Sequence, residues 1–143
     1  MTLPKNKLTL LKYTYDFAVS GGAVSSITLT SNFGSIVEGM IIKRAYILVD
    51  TALASAGSPT LTIGNTGDKD GYFADIVALA GAANAVINSG SVAGALLWDD
   101  TNDHEIYYRV DSTANNQDLV VTIGTAALTA GKLDIYLECV IPD

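Results

Sequence analysis

Residues 58–74 read SPTLTIGNTGDKDGYFA. Thr60, Leu61, Thr62 and Ile63 alternate polar with apolar, the period of a strand with one buried face. Gly64 stops the run. Asn65 to Gly71 is then a turn cluster, whose glycines at 67 and 71 are free to take positive φ. Tyr72 and Phe73 return large apolar surface to the interior. Near the C-terminus, Val121-Thr122-Ile123-Gly124 repeats the strand half of this device, again with a loop and a further strand behind it. Two copies of one strand–glycine–loop unit predict an all-β protein built from hairpin or Greek-key units.

The flanking sequence supplies the remaining strands. Leu10 to Val19 sets Tyr13, Tyr15 and Phe17 on one face and Lys12, Thr14 and Asp16 on the other. Val24 to Ser31 alternates Ser and Thr with Ile27 and Leu29. Met40 to Asp50 is apolar on both faces, which predicts a central strand. Ser58 to Ile63, Ser91 to Trp98, Glu105 to Val110 and Leu119 to Ile123 follow. Lys132 to Ile141 closes the chain with Leu133, Ile135, Leu137 and Cys139 on one face. Val86-Ile87 is an ambiguous short strand, and residues 72–80 have helix-forming content. Strands do not alternate with long amphipathic helices, which argues against an α/β fold. The expectation is a single-domain, all-β sandwich of the jelly-roll kind. It has about eight antiparallel strands over residues 10–143, behind an N-terminal arm of residues 1–9.

The chain has 143 residues, 49% hydrophobic and only 16% charged. That supplies a core for one domain and leaves few charges for a monomer's surface, so part of the surface is expected to be covered by another subunit or partner. A net charge of −7 argues against binding duplex nucleic acid, which needs clustered bases. Lys5, Lys7 and Lys12 nevertheless stand together at the start, whereas Asp99, Asp100, Asp103, Glu105, Asp111 and Asp118 lie in the second half. A basic arm on an acidic body can steer docking onto an acidic surface; an ordinary solvated tail has the same composition. Cys139 is the sole cysteine, so an internal disulfide is ruled out, and it reads as a buried small hydrophobe. The uncharged span 76–98 holds Asn84, Asn88, Ser89 and Ser91, costly in hydrocarbon, so no membrane partner is expected. No apolar run of signal-peptide length precedes it at the N-terminus.

Catalytic signals are weak. His104 is the sole histidine, beside Asp103 and Glu105 in a charged turn, with no nucleophile elbow. One His and one Cys are too few for a zinc site. Asp68 and Asp70, with Asn65 and Asp75 nearby, are weak calcium candidates. In an EF-hand register Thr66 replaces the first Asp and Val77 the terminal Glu, so their simpler role is turn formation. Asp99, Asp100 and Asp103 crowd one turn rather than facing each other across a cleft, unlike glycosidase carboxylates. The reading is a non-enzyme without a cofactor.

The run IIKRAYILVDTALASAGSPTLTIGNTGDKDGYFA, residues 41–74, and the closing GKLDIYLECVIPD, residues 131–143, resemble small structural proteins encoded among tailed-phage head genes. The resemblance implies a capsid decoration, or cement, protein. Such a protein is a β-sandwich or jelly roll, often a homotrimer, seated on the outer surface of the virion against the major capsid protein. It would be made in the host bacterial cytoplasm. Lys5, Lys7 and Lys12 are our candidates for capsid contact; the resemblance itself supplies no contact residues. The alternative on the same fold is a receptor- or glycan-binding tip of a phage fibre, using loops such as 65–71 or 99–103.

Overall fold

The computed structural model describes residues 3, 5–77, 80–89, 94–99, 101–102, 104–113 and 117–142. Its strands are β1 (Leu8–Asp16), β2 (Ser25–Thr28), β3 (Ser31–Phe33), β4 (Ile41–Ala54), β5 (Thr60–Gly64), β6 (Val86–Asn88), β7 (Trp98–Asp99), β8 (His104–Glu105), β9 (Tyr108–Arg109), β10 (Val120–Gly124) and β11 (Ala130–Val140). One short helix, α1 (Phe17–Ser20), follows β1. The large sheet has the order β3-β1-β11-β4-β6, with β9 also paired to β4. The small sheet is β2-β10-β5, and β7 and β8 form a separate ribbon. All pairings between these strands are antiparallel. The protein is the single-domain, all-β fold that the alternation predicts.

The core lies between the two sheets. Leu11, Tyr13 and Tyr15 of β1, Ile47 and Val49 of β4, and Leu133, Ile135, Leu137 and Cys139 of β11 point inward from the large sheet. Leu61 and Ile63 of β5 and Val121 and Ile123 of β10 belong to the same buried cluster. Here the repeated device explains itself: the TLTIG and VVTIG strands are hydrogen-bonded partners, with Thr62 opposite Thr122 and Ile63 opposite Val121. Matching alternation on paired strands turns both sets of apolar side chains to one face.

The loop after β5 folds back by close approach rather than by positive φ. Neither Gly67 nor Gly71 has positive φ. A Cβ on Gly64 would lie 2.0 Å from the Asp68 carbonyl oxygen, and one on Gly94 would lie 1.8 Å from that of Asp70. The glycines are there because the backbone passes too near for a side chain. Phe73 then bridges Ile63, and the Asp75 carboxylate accepts the Leu61 N–H at 3.0 Å. The edge of β5 is therefore covered by the chain's own re-entry.

Several expected boundaries move. The first strand begins at Leu8 and ends at Asp16, because the Asp16 carboxylate accepts the Ala18 N–H at 2.9 Å and caps α1. The strand expected over residues 24–31 is two strands in different sheets, with the chain crossing at buried Leu29. The strand expected over 91–98 is not formed at 94–97. There Leu97 and Trp98 both donate to the Gly94 carbonyl and make a turn, and of residues 94–98 only Trp98 is in a strand; residues 91–93 lie outside the described residues. The strand expected over 105–110 breaks into β8 and β9. In the stretch 72–80 with its helix-forming content, Phe73 is held in sheet pairing with Ile63 and the Ala80 N–H donates to the Ile76 carbonyl at 3.0 Å; residues 78 and 79 lie outside the described residues. At the start of the chain, within the segment expected as an arm, Leu3 is buried, and the Asn6 N–H bonds the Ile141 carbonyl, just past β11, at 2.8 Å; residues 1, 2 and 4 lie outside the described residues. Among the described residues, no helix is long and apolar enough to cross a membrane.

Candidate functional site

Strand β1 places the three candidate lysines at one margin of the large sheet. Lys5 and Lys7 are exposed ahead of the strand. Lys12 is on the outer face, 3.9 Å from the Asp134 carboxylate and 5.8 Å from the centre of the Tyr136 ring. The sequence cluster is thus split: Lys12 is engaged on the sheet, whereas Lys5 and Lys7 flank its end.

The outer face of the large sheet is the most developed surface of the molecule. Strand registers set its side chains in rows. Leu8, Val140, Ile41 and Arg109 are aligned across four strands. A second row runs Phe33, Lys12, Tyr136, Tyr46, Asn88. A third runs Thr14, Asp134, Leu48, Val86. Leu8, Leu10, Phe33, Leu48 and Val86 are all exposed large apolar side chains on this one face. Several of its polar groups are paired, whereas the buried Arg44 Nε has no hydrogen-bond partner among the described residues. Thr14 donates to Asp134 at 2.7 Å, Asn32 to Thr14 at 2.7 Å and the Tyr46 hydroxyl to Glu138 at 2.9 Å. Lys132 lies 3.7 Å from Asp50 and Arg44 3.5 Å from Glu105. A shallow groove of about 460 Å³ beside β1 is lined by Lys12, Thr14, Asp16, Asn32, Lys132 and Asp134, among others. Sequence reasoning singled out only Lys12 here. The available signal was the doubly apolar pattern of residues 40–50, which marked a strand with something to cover on both sides.

The other candidates resolve into loop chemistry. The Asp68 N–H donates to the Asn65 side-chain oxygen at 2.7 Å, an Asx turn. Burial first, and then the neighbouring Asp70, raise the Asp68 carboxyl above its ordinary value. Among the described residues, no group of three or more His, Cys, Asp or Glu side chains is placed to hold a metal ion. Asp118 ties this loop to the approach of β10, accepting the Thr66 N–H at 2.9 Å and the Thr66 hydroxyl. Behind the loop, Tyr72 meets Tyr108 edge-to-face at 6.2 Å. Burial drives the Tyr72 hydroxyl far above its ordinary range. Asp99 accepts the Thr101 and Asn102 N–H groups at 2.9 and 3.2 Å and so builds its own turn. Asp100 and Asp103 lie outside the described residues. His104 pairs through its backbone with Asp99.

These observations define an all-β protein whose distinctive feature is a sheet face. No protein-family model matches the chain, and no curated protein matches it. Among solved structures, it is similar to a chain of the cyanophage Pam1 capsid asymmetric unit. The TM-score is 0.65 at 14% identity, over 99% of this chain and 93% of that one. At that identity the likeness is one of fold.

Proposed function

We propose that this chain is a non-enzymatic structural protein of a tailed-phage virion. In this reading it is a decoration protein that sits as a homotrimer on the outer surface of the head and braces the major capsid protein lattice. It is made in the host cytoplasm and joins the particle from outside. The observation that carries the proposal is the fold likeness to a phage capsid chain over almost the whole length of both. The low charge content and the phage-head resemblance of residues 41–74 and 131–143 support it independently. Bracing requires many small contacts added over a lattice, which suits a broad face better than a cleft. Lys5 and Lys7, exposed at the end of the large sheet, are the proposed electrostatic contacts with the capsid, together with Lys12.

The test is copy number and position in particles, by gel densitometry against the major capsid band and by antibody-gold labelling. Near-stoichiometric copies on the head are expected. A few copies at the tail would favour the receptor- or glycan-binding reading, and absence from particles would overturn both. Lys5→Glu with Lys7→Glu is expected to lower head occupancy, with the loss growing as salt is reduced and like charges repel over longer range. Unchanged occupancy would remove the lysines' role.

A further inference from the structure

The groove beside β1 has a volume of about 460 Å³, within the range of small-ligand sites. We infer that it binds a neutral saccharide. A smaller hollow of about 230 Å³ adjoins it, sharing Asp16 and Lys132 and adding apolar walls at Phe17, Ala18 and Ala130.

The lining is set in place before any ligand arrives. The Thr14 hydroxyl accepts from the Asn32 amide at 2.7 Å and donates to Asp134 at 2.7 Å. The other Asp134 oxygen faces the Lys12 ammonium at 3.9 Å. Side chains from β3, β1 and β11 are thus joined in one polar line, which lowers the ordering cost of binding. The line is not saturated. The second Asp16 oxygen, the Asn32 carbonyl oxygen and the Ser20 hydroxyl take no hydrogen bond from the described residues. Donors and acceptors therefore stand side by side, open to the groove.

Charge narrows the ligand class. Lys12 and Lys132 cancel Asp16 and Asp134 among the lining residues. An anion would meet two carboxylates and a cation two ammonium groups, so neither gains from the site as a whole. A wholly apolar ligand would strip water from all four charges. What fits is a neutral molecule rich in groups that both donate and accept, with some apolar surface of its own. The groove supplies a counterpart for that surface in exposed Val19, and exposed Phe33 stands opposite Lys12. A saccharide has this make-up, with hydroxyls around a ring that has C–H faces. An extended peptide binds by joining a free strand edge. Here the occupant lies over the face of a ladder paired from Leu8–Val140 to Asp16–Lys132.

The site is compatible with docking through Lys5 and Lys7. A strand rises about 3.4 Å per residue, so Lys7 and Asp16 lie about 30 Å apart along β1, and the groove can stay open when the other end of the strand is covered. Carried in many copies, weak sites of this kind add up to firm attachment to a glycan-coated surface.

The experiment titrates the isotope-labelled full chain with glucose, galactose, rhamnose and N-acetylglucosamine in turn and follows its amide resonances. At least one sugar is expected to give saturable shifts centred on residues 12–16, 32 and 132–134, with a Kd on the order of millimolar. Thr14→Val keeps the shape of the side chain but removes the hydroxyl that joins Asn32 to Asp134. It is expected to weaken binding about tenfold, as is Asp134→Asn, with the rest of the spectrum unchanged. Thr62→Val, in the small sheet, is expected to leave the affinity as it was. No saturable shift with any of these sugars would overturn the inference, as would wild-type affinity in either groove variant. Shifts centred on loops 65–71 or 99–103 would place recognition elsewhere, and saturation by inorganic phosphate alone would make this an anion site; both outcomes also overturn it. Since the purified chain is used, none of these outcomes depends on whether the protein is found on phage heads.

Discussion

Gly64 stands between a strand and a loop that folds straight back over it. With a Cβ only 2.0 Å from a backbone oxygen, Gly64→Ala must move either β5 or the loop. The expected loss is about 1–3 kcal/mol, as for other overpacked sites, read as a lower urea midpoint at unchanged slope. Cys139 shows what burial does to a titrating group. Its thiol donates to the Thr9 carbonyl at 3.4 Å, and burial, then Glu138, push its pKa up to about 11. The native state thus holds its proton where the unfolded chain releases one. Stability is full below about pH 9 and falls as pH rises from about 9 to about 11. Thermal melts across that range should show the decline, and Cys139→Ala should make it shallower, the buried tyrosines supplying the rest. Slow reaction with a thiol reagent at pH 8 in the native state, and fast reaction in urea, is the companion observation. The raised Asp68 carboxyl predicts the same direction at lower pH: stability present while Asp68 is protonated is lost as pH rises through its raised pKa. Asp70→Asn, by removing the neighbouring charge, should raise Tm at neutral pH, whereas millimolar calcium should leave it unchanged. A rise with calcium, reversed by chelation, would restore the metal reading.

At the level of strands, β11 is the spine of the large sheet, paired along its length with β1 on one side and β4 on the other. Alternate residues decide different things. Ile135 is fully buried, and Ile135→Ala should cost about 2–5 kcal/mol as an unfilled cavity. Lys132 on the opposite face makes only a solvent-exposed pair with Asp50. Asp50→Ala should therefore change stability by no more than about 0.5 kcal/mol in either direction. Equal effects in denaturant titrations of the two variants would mean that the sheet's two faces are not distinguished as described. The bulge that pairs Arg44 with Glu138 but Ile42 with Cys139 belongs to the same scale. It puts Ile42 and Ala45, three apart, both inside, a shift that a strict two-residue period does not anticipate.

For the molecule as a whole, both sheets share one core, so unfolding should be a single transition with coincident near- and far-ultraviolet circular dichroism. Two separated transitions would instead divide the chain into independently stable parts. The sheet face and the proposed place on a phage head are also properties of this scale, since each depends on strands brought together from distant parts of the sequence.

The sequence by itself determined the all-β class, the inward faces of β5, β10 and β11, and the turn at 65–71. Each follows from a local period of two or from a Gly- and Asp-rich break, and such signals need no partner to be read. Met40 to Asp50 was legible as a strand, and its doubly apolar pattern was legible as a demand for cover. The tertiary structure alone decided which strands pair, that residues 25–28 and 31–33 part into different sheets, and that residues 94–97 turn instead of extending. It alone set Leu10, Phe33, Tyr136, Tyr46, Leu48 and Val86 on one surface. The physical reason is that strand pairing is a contact between remote residues. Its register is fixed by how whole faces bury together, and no window of the sequence contains both halves of that contact.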